Sequence, residues 1–253
     1  MSKTVWITGA SSGIGQEFAR RYAKIGCRLI LTARRTDRLE ALAAELGTPC
    51  RILPADLADE ADCARLCAAL AGENIDIFIN NAGFGVCGSY LETDAAREEE
   101  MIKVNVAAMA RLFHFAVRKM DAAGGGTILN VASSAGLLPG GPYMAGYYAS
   151  KAYVVSLTRG VAEELRENRS PVYVCALCPG PVNTEFNDRA GVVFALKGIT
   201  PEFCVEEALL GMMHHKTVIV PSAFMRLCTG AQKLLPTPLL MPIVARQQKK
   251  KLG

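Results

Sequence analysis

Hydrophobic positions along the chain fall into short apolar runs that alternate with longer amphipathic stretches. The short runs predict strands at 3–8, 28–33, 50–54, 75–80, 126–132, 172–178 and 217–220. The longer stretches repeat their apolar residues with a helical period and predict helices at 13–25, 36–46, 59–71, 95–122, 147–168 and 202–214. Strands and helices that alternate at these lengths are typical of βαβ units.

This alternation predicts an α/β fold with a Rossmann-like, doubly wound parallel sheet of about seven strands and helices on both faces. The chain shows no internal repeat and no linker rich in proline, serine or charge. We therefore expect a single dinucleotide-binding and catalytic domain over 1–253, with 184–204 as a substrate loop or lid and 222–253 as a C-terminal extension. In such a sheet, ligands bind outside the carboxyl ends of the strands.

The first predicted strand runs directly into a glycine-rich turn, TGASSGIG, which covers Thr8 to Gly15. Gly9, Gly13 and Gly15 allow a tight turn and a close approach of the backbone to a pyrophosphate. The helix that follows offers free N–H groups and the positive end of its dipole. A turn of this kind between a strand and a helix predicts a dinucleotide site.

Two arginines, Arg34 and Arg35, follow the second predicted strand, where this kind of fold reads the adenosine ribose. No carboxylate follows until Asp37, which is placed to cap the next helix. Because a guanidinium suits a phosphate better than a bare ribose, the pair favours NADP(H) over NAD(H). A solvated loop is the alternative interpretation of these arginines.

Further motifs follow in order: NNAG at 80–83, Ser134, a Tyr-x-x-x-Lys at 147–151, and PGPVNT at 179–184. Together with the glycine-rich turn, they resemble the short-chain dehydrogenase/reductase family, in its shorter single-domain branch. The resemblance covers Thr8 to Thr184 and implies a nicotinamide-dependent oxidoreductase. It also implies a cofactor-binding set: Gly9, Ser11, Ser12, Gly13, Ile14, Gly15, Arg34, Arg35, Asp56, Leu57, Asn80, Asn81, Tyr147, Lys151, Val182 and Thr184.

Within that set, the resemblance implies that Ser11 and Arg34 lie near the 2′-phosphate. Val182 and Thr184 are expected to hold the carboxamide of the nicotinamide. The resemblance further implies that Asn105 supports a water-mediated proton path; an asparagine satisfied by structural hydrogen bonds is the alternative.

The catalytic set implied by these motifs is Ser134, Tyr147 and Lys151, with Asn105 behind them. Hydride transfer to a carbonyl leaves an alkoxide, so a reductase needs a proton donor and a group that polarises the oxygen. Tyr147 and Lys151 lie four residues apart on a predicted helix, hence on one face, where a lysine charge would lower the pKa of the phenol. Ser134 is expected to polarise the oxygen, and Ser133 to hydrogen-bond backbone.

Two other tyrosines lie close to this motif. Tyr143 is eight residues from Lys151, too far along a helix for the lysine to tune it, and is predicted to form a pocket wall. The helix line through Tyr148 continues into charged residues, which predicts a side chain turned toward solvent or a partner and used for packing.

The predicted substrate pocket is mostly apolar, which favours a hydrophobic ketone or aldehyde. The alternative is that these residues only close the core or move as a lid. Arg189 could meet an anion there. The C-terminal extension is expected to pack over the pocket or against a second subunit, with an anionic membrane surface as the weaker alternative. A homodimer or homotetramer is the expected assembly. The apolar side chains predicted to line the pocket are Leu137, Leu138, Met144, Phe186, Val192, Val193, Phe194 and Leu196.

Composition narrows the classes of function. The formal charge of +4 comes from the four cations of an acid-free tail, so the body is neutral and no nucleic-acid partner is expected. The nine cysteines are irregularly spaced, and Cys175 and Cys178 lie on one predicted strand with side chains on opposite faces, so reduced thiols are expected. The three histidines lack ligand spacing, and no metal site is predicted. No apolar run is long enough to cross a bilayer and no leader precedes the first strand, so a cytoplasmic protein is expected.

The sequence thus predicts an NADP(H)-dependent oxidoreductase that interconverts a carbonyl and an alcohol. A non-catalytic NADPH-binding sensor or scaffold on the same fold is the alternative, and the full Ser, Tyr, Lys set argues against it. An enzyme that modifies nucleotide sugars would normally need a further substrate domain, for which this chain has no room.

Overall fold

The computed structural model describes residues 2–186 and 198–249 and contains a seven-stranded parallel sheet. The strand order is β3-β2-β1-β4-β5-β6-β7, so the order reverses between β1 and β4, as in a doubly wound sheet. The strands are β1 Thr4–Thr8, β2 Arg28–Thr32, β3 Cys50–Ile52, β4 Ile77–Asn80, β5 Gly126–Val131, β6 Val172–Leu177 and β7 Val218–Ile219. The predicted fold class and all seven predicted strands are confirmed.

Helices connect the strands. They are α1 Gly13–Lys24, α2 Thr36–Leu46, α3 Glu60–Leu70, α4 Ala95–Ile102, α5 Met109–Ala122, α6 Ala145–Glu167, α7 Pro201–Met213, α8 Ala223–Ala231 and α9 Thr237–Lys249. A π-helical turn, Lys103–Ala108, joins α4 to α5, and a short 3₁₀ turn, Ser134–Leu137, follows β5. The single helix predicted over 95–122 is therefore divided by the π turn.

The C-terminal extension forms two helices that the hydrophobic pattern did not predict. Pro236 lies in the link between them, where it cannot extend α8. Pro242 lies inside α9. Pro236 therefore separates the extension into two short helices, whereas Pro242 does not interrupt α9.

Two hydrophobic layers cover the sheet, one on each face. Trp6 of β1 belongs to the layer shared with α5 and α6 and stacks on Phe78, with ring centroids 4.0 Å apart. Its neighbours Val5 and Ile7 belong to the opposite layer, shared with α1 and α7. Because both faces are covered, every position of the strand is buried, which explains the continuous apolar runs in the sequence.

The cysteines of the CALC sequence follow the same rule. Cys175 lies in one hydrophobic layer and Cys178 in the other, and both are buried free thiols. Burial raises the pKa of each thiol to about 12. Their opposite orientation is confirmed, and such buried thiols are chemically inert at neutral pH.

The carboxyl ends of β1 and β4 are joined by hydrogen bonds. Thr8 Oγ1 accepts from the backbone N–H of Asn81 at 2.9 Å and of Ala82 at 3.1 Å. Asn81 Nδ2 donates in return to the carbonyl of Thr8 at 2.9 Å. These bonds fix the two loops that leave the sheet where its strand order reverses, which is where a ligand is expected to bind.

The 3₁₀ turn after β5 packs directly on the backbone of α6. A β-carbon on Gly136 would lie 2.4 Å from the carbonyl oxygen of Lys151 and 3.0 Å from the nitrogen of Ala152. Since neither backbone atom can rotate away, the turn and the helix can approach this closely only with glycine at position 136.

We expect Gly136→Ala to lower the free energy of unfolding by about 1–3 kcal/mol, because it forces the turn away from α6. Gly160→Ala is the matched control: Gly160 is exposed within α6 and a β-carbon there meets no atom within 4 Å. This control should gain about 0.5–1 kcal/mol from helix propensity. Urea denaturation of both variants measures the two changes, and a Gly136→Ala protein as stable as wild type would contradict the close packing.

Candidate active site

A cleft of about 740 Å³ opens at the carboxyl ends of the central strands, within the size range of small-molecule sites. It brings together most of the residues predicted for the site. Gly15, Asn80 and Asn105 lie outside its lining. The predicted residues that line it are Gly9, Ser11, Ser12, Gly13, Ile14, Arg34, Arg35, Asp56, Leu57, Asn81, Ser134, Tyr147, Lys151, Val182 and Thr184.

The turn between β1 and α1 presents bare backbone to the cleft. Gly9 and Gly13 have φ angles of +65° and +56°, which favour glycine. A β-carbon on Gly15 would lie 2.4 Å from the carbonyl oxygen of Gly9, so Gly15 allows the turn to pack on the helix. Ser12 precedes α1 without a side-chain capping bond, which leaves the first amides of the helix to an anion. The turn fits the pyrophosphate of a dinucleotide.

The two adjacent asparagines have separate roles. Asn80 is 3% exposed, and its Nδ2 donates to Asn130 Oδ1 and to the carbonyl of Met109, each at 3.1 Å. It therefore steadies the central strands. Its side chain faces the protein interior, and a contact with the cofactor stays a prediction. Asn81 lines the cleft and supports the glycine-rich turn.

Arg34 and Arg35 both line the cleft but have different partners. Arg35 donates to Ser11 Oγ at 3.2 Å and pairs with Glu185 at 3.1 Å. Arg34 pairs with Glu100 at 3.1 Å. The arginine beside Ser11 is therefore Arg35, and the place of Arg34 near a 2′-phosphate stays a prediction. Both cations are held by carboxylates at the mouth of the cleft.

Tyr147 is buried at the base of the cleft, on the first turn of α6. Burial raises the pKa of its phenol to about 12, although a hydrogen bond with the Ser133 side chain lowers it in part. The phenol is thus a neutral proton donor, already hydrogen-bonded to a hydroxyl.

The hydroxyl that reaches Tyr147 belongs to Ser133, not to the predicted Ser134. Ser133 Oγ also accepts from the N–H of Ala135 at 3.1 Å, the backbone bond expected for it. Ser134 begins the 3₁₀ turn, and its N–H donates to the carbonyl of Pro179 at 2.8 Å. The change from strand to turn at this point breaks the strand alternation, so the role of Ser134 at the substrate oxygen stays a prediction.

Lys151 lies one turn along α6 from Tyr147 and is 5% exposed. Its Nζ donates to the carbonyl of Val131 at 2.9 Å and lies 5.9 Å from the centroid of the Tyr147 ring. Burial lowers the pKa of its amine to about 8. The lysine was expected to lower the pKa of the tyrosine, but burial has the larger effect and the pKa of Tyr147 lies above its ordinary value.

Asn105 lies in the π-helical turn and is 1% exposed. Its Oδ1 accepts from the N–H of Phe84 at 3.0 Å, while Nδ2 donates to the carbonyl of Phe84 at 2.8 Å and to Ser150 Oγ at 3.1 Å. The side chain clamps the loop after β4 to α6, which is the structural alternative. A role in proton relay stays a prediction.

The other tyrosines differ from their predicted places. Tyr143, predicted to be a pocket wall, lies outside the cleft lining, in a left-handed conformation with φ of +66°. Tyr148, predicted to face solvent or a partner, is 6% exposed and lines the cleft. The helix α9 covers it, and Gln248 donates to its hydroxyl at 2.5 Å. Because the hydrophobic pattern did not predict α9, it could not predict this burial.

The end of the cleft near Tyr147 is largely apolar. Of the predicted wall residues, Leu138, Met144 and Phe186 line it, whereas Leu137 does not. The motifs did not predict that Phe84, which follows NNAG, lines the cleft. Nor did they predict Gln248, for which no local pattern gave a signal. Arg189 lies outside the described residues. So do the other predicted wall residues, which are Val192, Val193, Phe194 and Leu196.

The described parts of the chain lack a metal-binding group of side chains and a membrane-spanning helix. Residues 2–186 and 198–249 contain no group of three or more His, Cys, Asp or Glu side chains placed to hold a metal ion. In the same ranges, no helix is both long and apolar enough to cross a membrane.

A sequence model of the family described as short chain dehydrogenase matches residues 3–191. The chain belongs to the short-chain dehydrogenase/reductase family. The resemblance drawn from its motifs is thereby confirmed, and with it an oxidoreductase that binds a nicotinamide cofactor.

Several relatives of this short-chain dehydrogenase are characterised. It is 40% identical over 183 residues to galactitol 2-dehydrogenase (L-tagatose-forming) of Cereibacter sphaeroides, with 71% of each chain covered. It is 35% identical to a short-chain dehydrogenase from Sphingobium yanoikuyae solved with NADPH, with a TM-score of 0.82 over 92% of this chain and 94% of the other. It is 27% identical to a family member from Burkholderia phymatum solved with NAD, with a TM-score of 0.81 over 92% and 95%. Relatives with either cofactor therefore share the fold.

The buried lysine predicts a pH-dependent stability. Its pKa lies at about 8 in the folded protein against an ordinary 10.5, so the folded state disfavours the charged form. This cost is complete below pH 8, decreases as the pH rises, and is absent above 10.5. Lys151→Met should therefore be more stable than wild type at pH 7, by about 1–3 kcal/mol after the loss of the bond to Val131.

This advantage should shrink as the pH rises from 8 to 10.5. Urea denaturation of both proteins across that range measures the difference between their free energies of unfolding. The contributions of titratable groups that both proteins contain cancel in this difference. A constant difference would show that Lys151 is not the titrating group.

Proposed function

We propose that the protein is an NADP(H)-dependent oxidoreductase that interconverts a carbonyl and an alcohol by hydride transfer. The observation that carries this proposal is the buried phenol of Tyr147, hydrogen-bonded to Ser133 with Lys151 one helical turn away, at the base of a cleft that begins at the glycine-rich turn. A proton donor, a second hydroxyl and a cation beside a dinucleotide site match the needs of carbonyl reduction.

The cofactor supplies or accepts the hydride when it is bound. In the reducing direction, Tyr147 Oη gives its proton to the developing alkoxide, and the Ser133 hydroxyl donates to the same oxygen. The Lys151 ammonium stabilises the phenolate that remains. A lysine pKa of about 8 lets the amine hold or release a proton near neutral pH. The proposal assigns Ser133 the polarising role first predicted for Ser134.

The preference for NADP(H) is supported by the charge around the adenosine end of the cleft. Arg34 and Arg35 both line it, and Arg35 shares a hydrogen bond with Ser11 of the glycine-rich turn. A 2′-phosphate would find two guanidinium groups there, each able to make bidentate hydrogen bonds. The NADPH bound to the Sphingobium yanoikuyae relative agrees with this preference, although the Burkholderia phymatum relative binds NAD.

The proposed substrate is a hydrophobic ketone or aldehyde, or the matching alcohol. Its support is the apolar end of the cleft, where Phe84, Leu138, Met144 and Phe186 surround Tyr147. A cytoplasmic homodimer or homotetramer remains the expected setting. The alternative function, a non-catalytic NADPH-binding sensor or scaffold, would bind the cofactor without turnover.

The proposal is tested by comparing three variants in the reduction of a panel of apolar ketones and aldehydes. Tyr147→Phe should lower kcat by about 10²–10⁴-fold, because it removes only the proton donor. Ser133→Ala should cost about 10²-fold through the lost hydrogen bond to the oxygen. Ser134→Ala should have a much smaller effect. The absorbance of the reduced nicotinamide measures turnover, and its fluorescence measures NADPH binding.

Each outcome has a separate meaning. Full activity of Tyr147→Phe would exclude the acid/base assignment. A Ser134→Ala effect larger than that of Ser133→Ala would restore the serine chosen from spacing. NADPH binding by the wild-type protein without turnover of any carbonyl or alcohol would favour the sensor or scaffold.

The cofactor preference gives a further prediction. Arg34→Ala and Arg35→Ala should each weaken NADPH binding by about tenfold or more, since each removes a charge-assisted hydrogen bond worth about 1.5–3 kcal/mol. Binding of NADH should change little. Arg20→Ala is the matched control, because Arg20 pairs with Glu45 outside the cleft lining. Titration of both cofactors measures the ratio, and equal losses for NADPH and NADH would overturn the preference.

A further inference from the structure

One face of α9 packs in the hydrophobic cluster that contains Tyr147 and Tyr148, and its last member, Gln248, lines the cleft. Leu240, Val244 and Gln248 follow each other at intervals of four residues and are all buried, so they share one side of the helix. Leu240 and Val244 belong to the same hydrophobic cluster as Tyr147 and Tyr148. The stripe is thus apolar for two turns and ends in an amide.

Only one of the two polar atoms of that amide has a hydrogen-bond partner in the described part of the chain. Gln248 is 3% exposed, and its Nε2 donates to the Tyr148 hydroxyl at 2.5 Å. Its Oε1 is buried and accepts no hydrogen bond from the part of the chain that the structure describes. A buried acceptor without a partner costs about 1–3 kcal/mol. A leucine at this position would continue the stripe without that cost.

The unpaired oxygen belongs to a residue of the cleft lining. Gln248 and Tyr148 both line the cleft. The ring of Tyr148 lies 6.4 Å from the ring of Tyr147, centroid to centroid. Tyr147, Tyr148 and Gln248 thus line one cleft, with Tyr148 in contact with the other two, so a molecule whose carbonyl lies at Tyr147 can extend toward the amide.

We propose that Gln248, held in place by Tyr148, recognises a second polar group of the substrate: a hydroxyl that donates to Oε1. The inference rests on the proposed function and narrows its substrate class. The substrate is an apolar ketone or aldehyde that carries a hydroxyl remote from its reacting carbon. Such a donor satisfies the amide, and apolar side chains of the cleft lining, Met144 and Phe186 among them, cover the carbon skeleton between the two groups.

The test uses pairs of linear methyl ketones of graded chain length, one member ending in a hydroxyl and the other in a methyl group, with NADPH as reductant. At the length that spans Tyr147 and Gln248, wild-type kcat/KM should favour the hydroxyl compound by about tenfold, the effect of one hydrogen bond to a buried group. Most of the difference should lie in KM, because the contact is made in the ground state and the transition state alike.

Gln248→Leu should reduce that preference to about one while retaining reduction of the methyl-ended ketone. Tyr148→Phe should reduce it in part, because the amide loses the bond that orients it. This second variant keeps the proposal testable if Gln248→Leu does not fold.

Gln232→Leu is the matched control. Gln232 also lies in the C-terminal extension, is 8% exposed, donates to a backbone carbonyl and has an Oε1 without a partner among the described residues. It does not line the cleft. The same substitution there should change stability comparably and leave the preference for the hydroxyl compound unchanged.

The results separate this inference from the proposed function. Reduction of the methyl-ended ketones without a hydroxyl preference at any length would overturn the role of Gln248 and leave the reductase intact. A loss of preference in Gln232→Leu equal to that in Gln248→Leu would also overturn it, since packing of the extension would then explain both. If neither series nor any other carbonyl is reduced, the proposed function itself fails.

Discussion

The position of α6 against the sheet depends on a buried chain of polar side chains. Asn80 of β4 donates to Asn130 of β5, which donates to Thr158 Oγ1 of α6 at 2.9 Å. All three residues are almost wholly buried, so shifting the helix would leave amide groups unpaired at about 1–3 kcal/mol each. Lys151 adds a second tie to β5 through Val131. The helix that carries Tyr147 is thus held in one register, as proton transfer requires.

Much of the fold could be predicted from the sequence because its physical causes are local. Strands covered on both faces are apolar at most positions, and the glycine-rich turn follows the first of them. The serine could not be chosen, because the strand ends at Val131 and alternation no longer tells Ser133 from Ser134. Gln248 could not be found at all, since its contact with Tyr148 spans 100 residues and no periodic pattern records it.

Charge is distributed differently at the two ends of the cleft. At the adenosine end, Arg34 and Arg35 are paired with Glu100 and Glu185, so a phosphate must compete with carboxylates for them. At the other end, burial favours the neutral forms of the phenol and the amine. The first end suits binding of an anion and the second suits movement of a proton.

The docking of α9 has a consequence for how the protein becomes functional. The nucleotide-binding turn and the catalytic helix are complete well before the last helix leaves the ribosome, because synthesis proceeds from the N-terminus. A nascent chain that ends before α9 therefore has its dinucleotide turn and its tyrosine in place beside an open chamber. The lining of that chamber is completed only when α9, a helix of thirteen residues, docks on Tyr148.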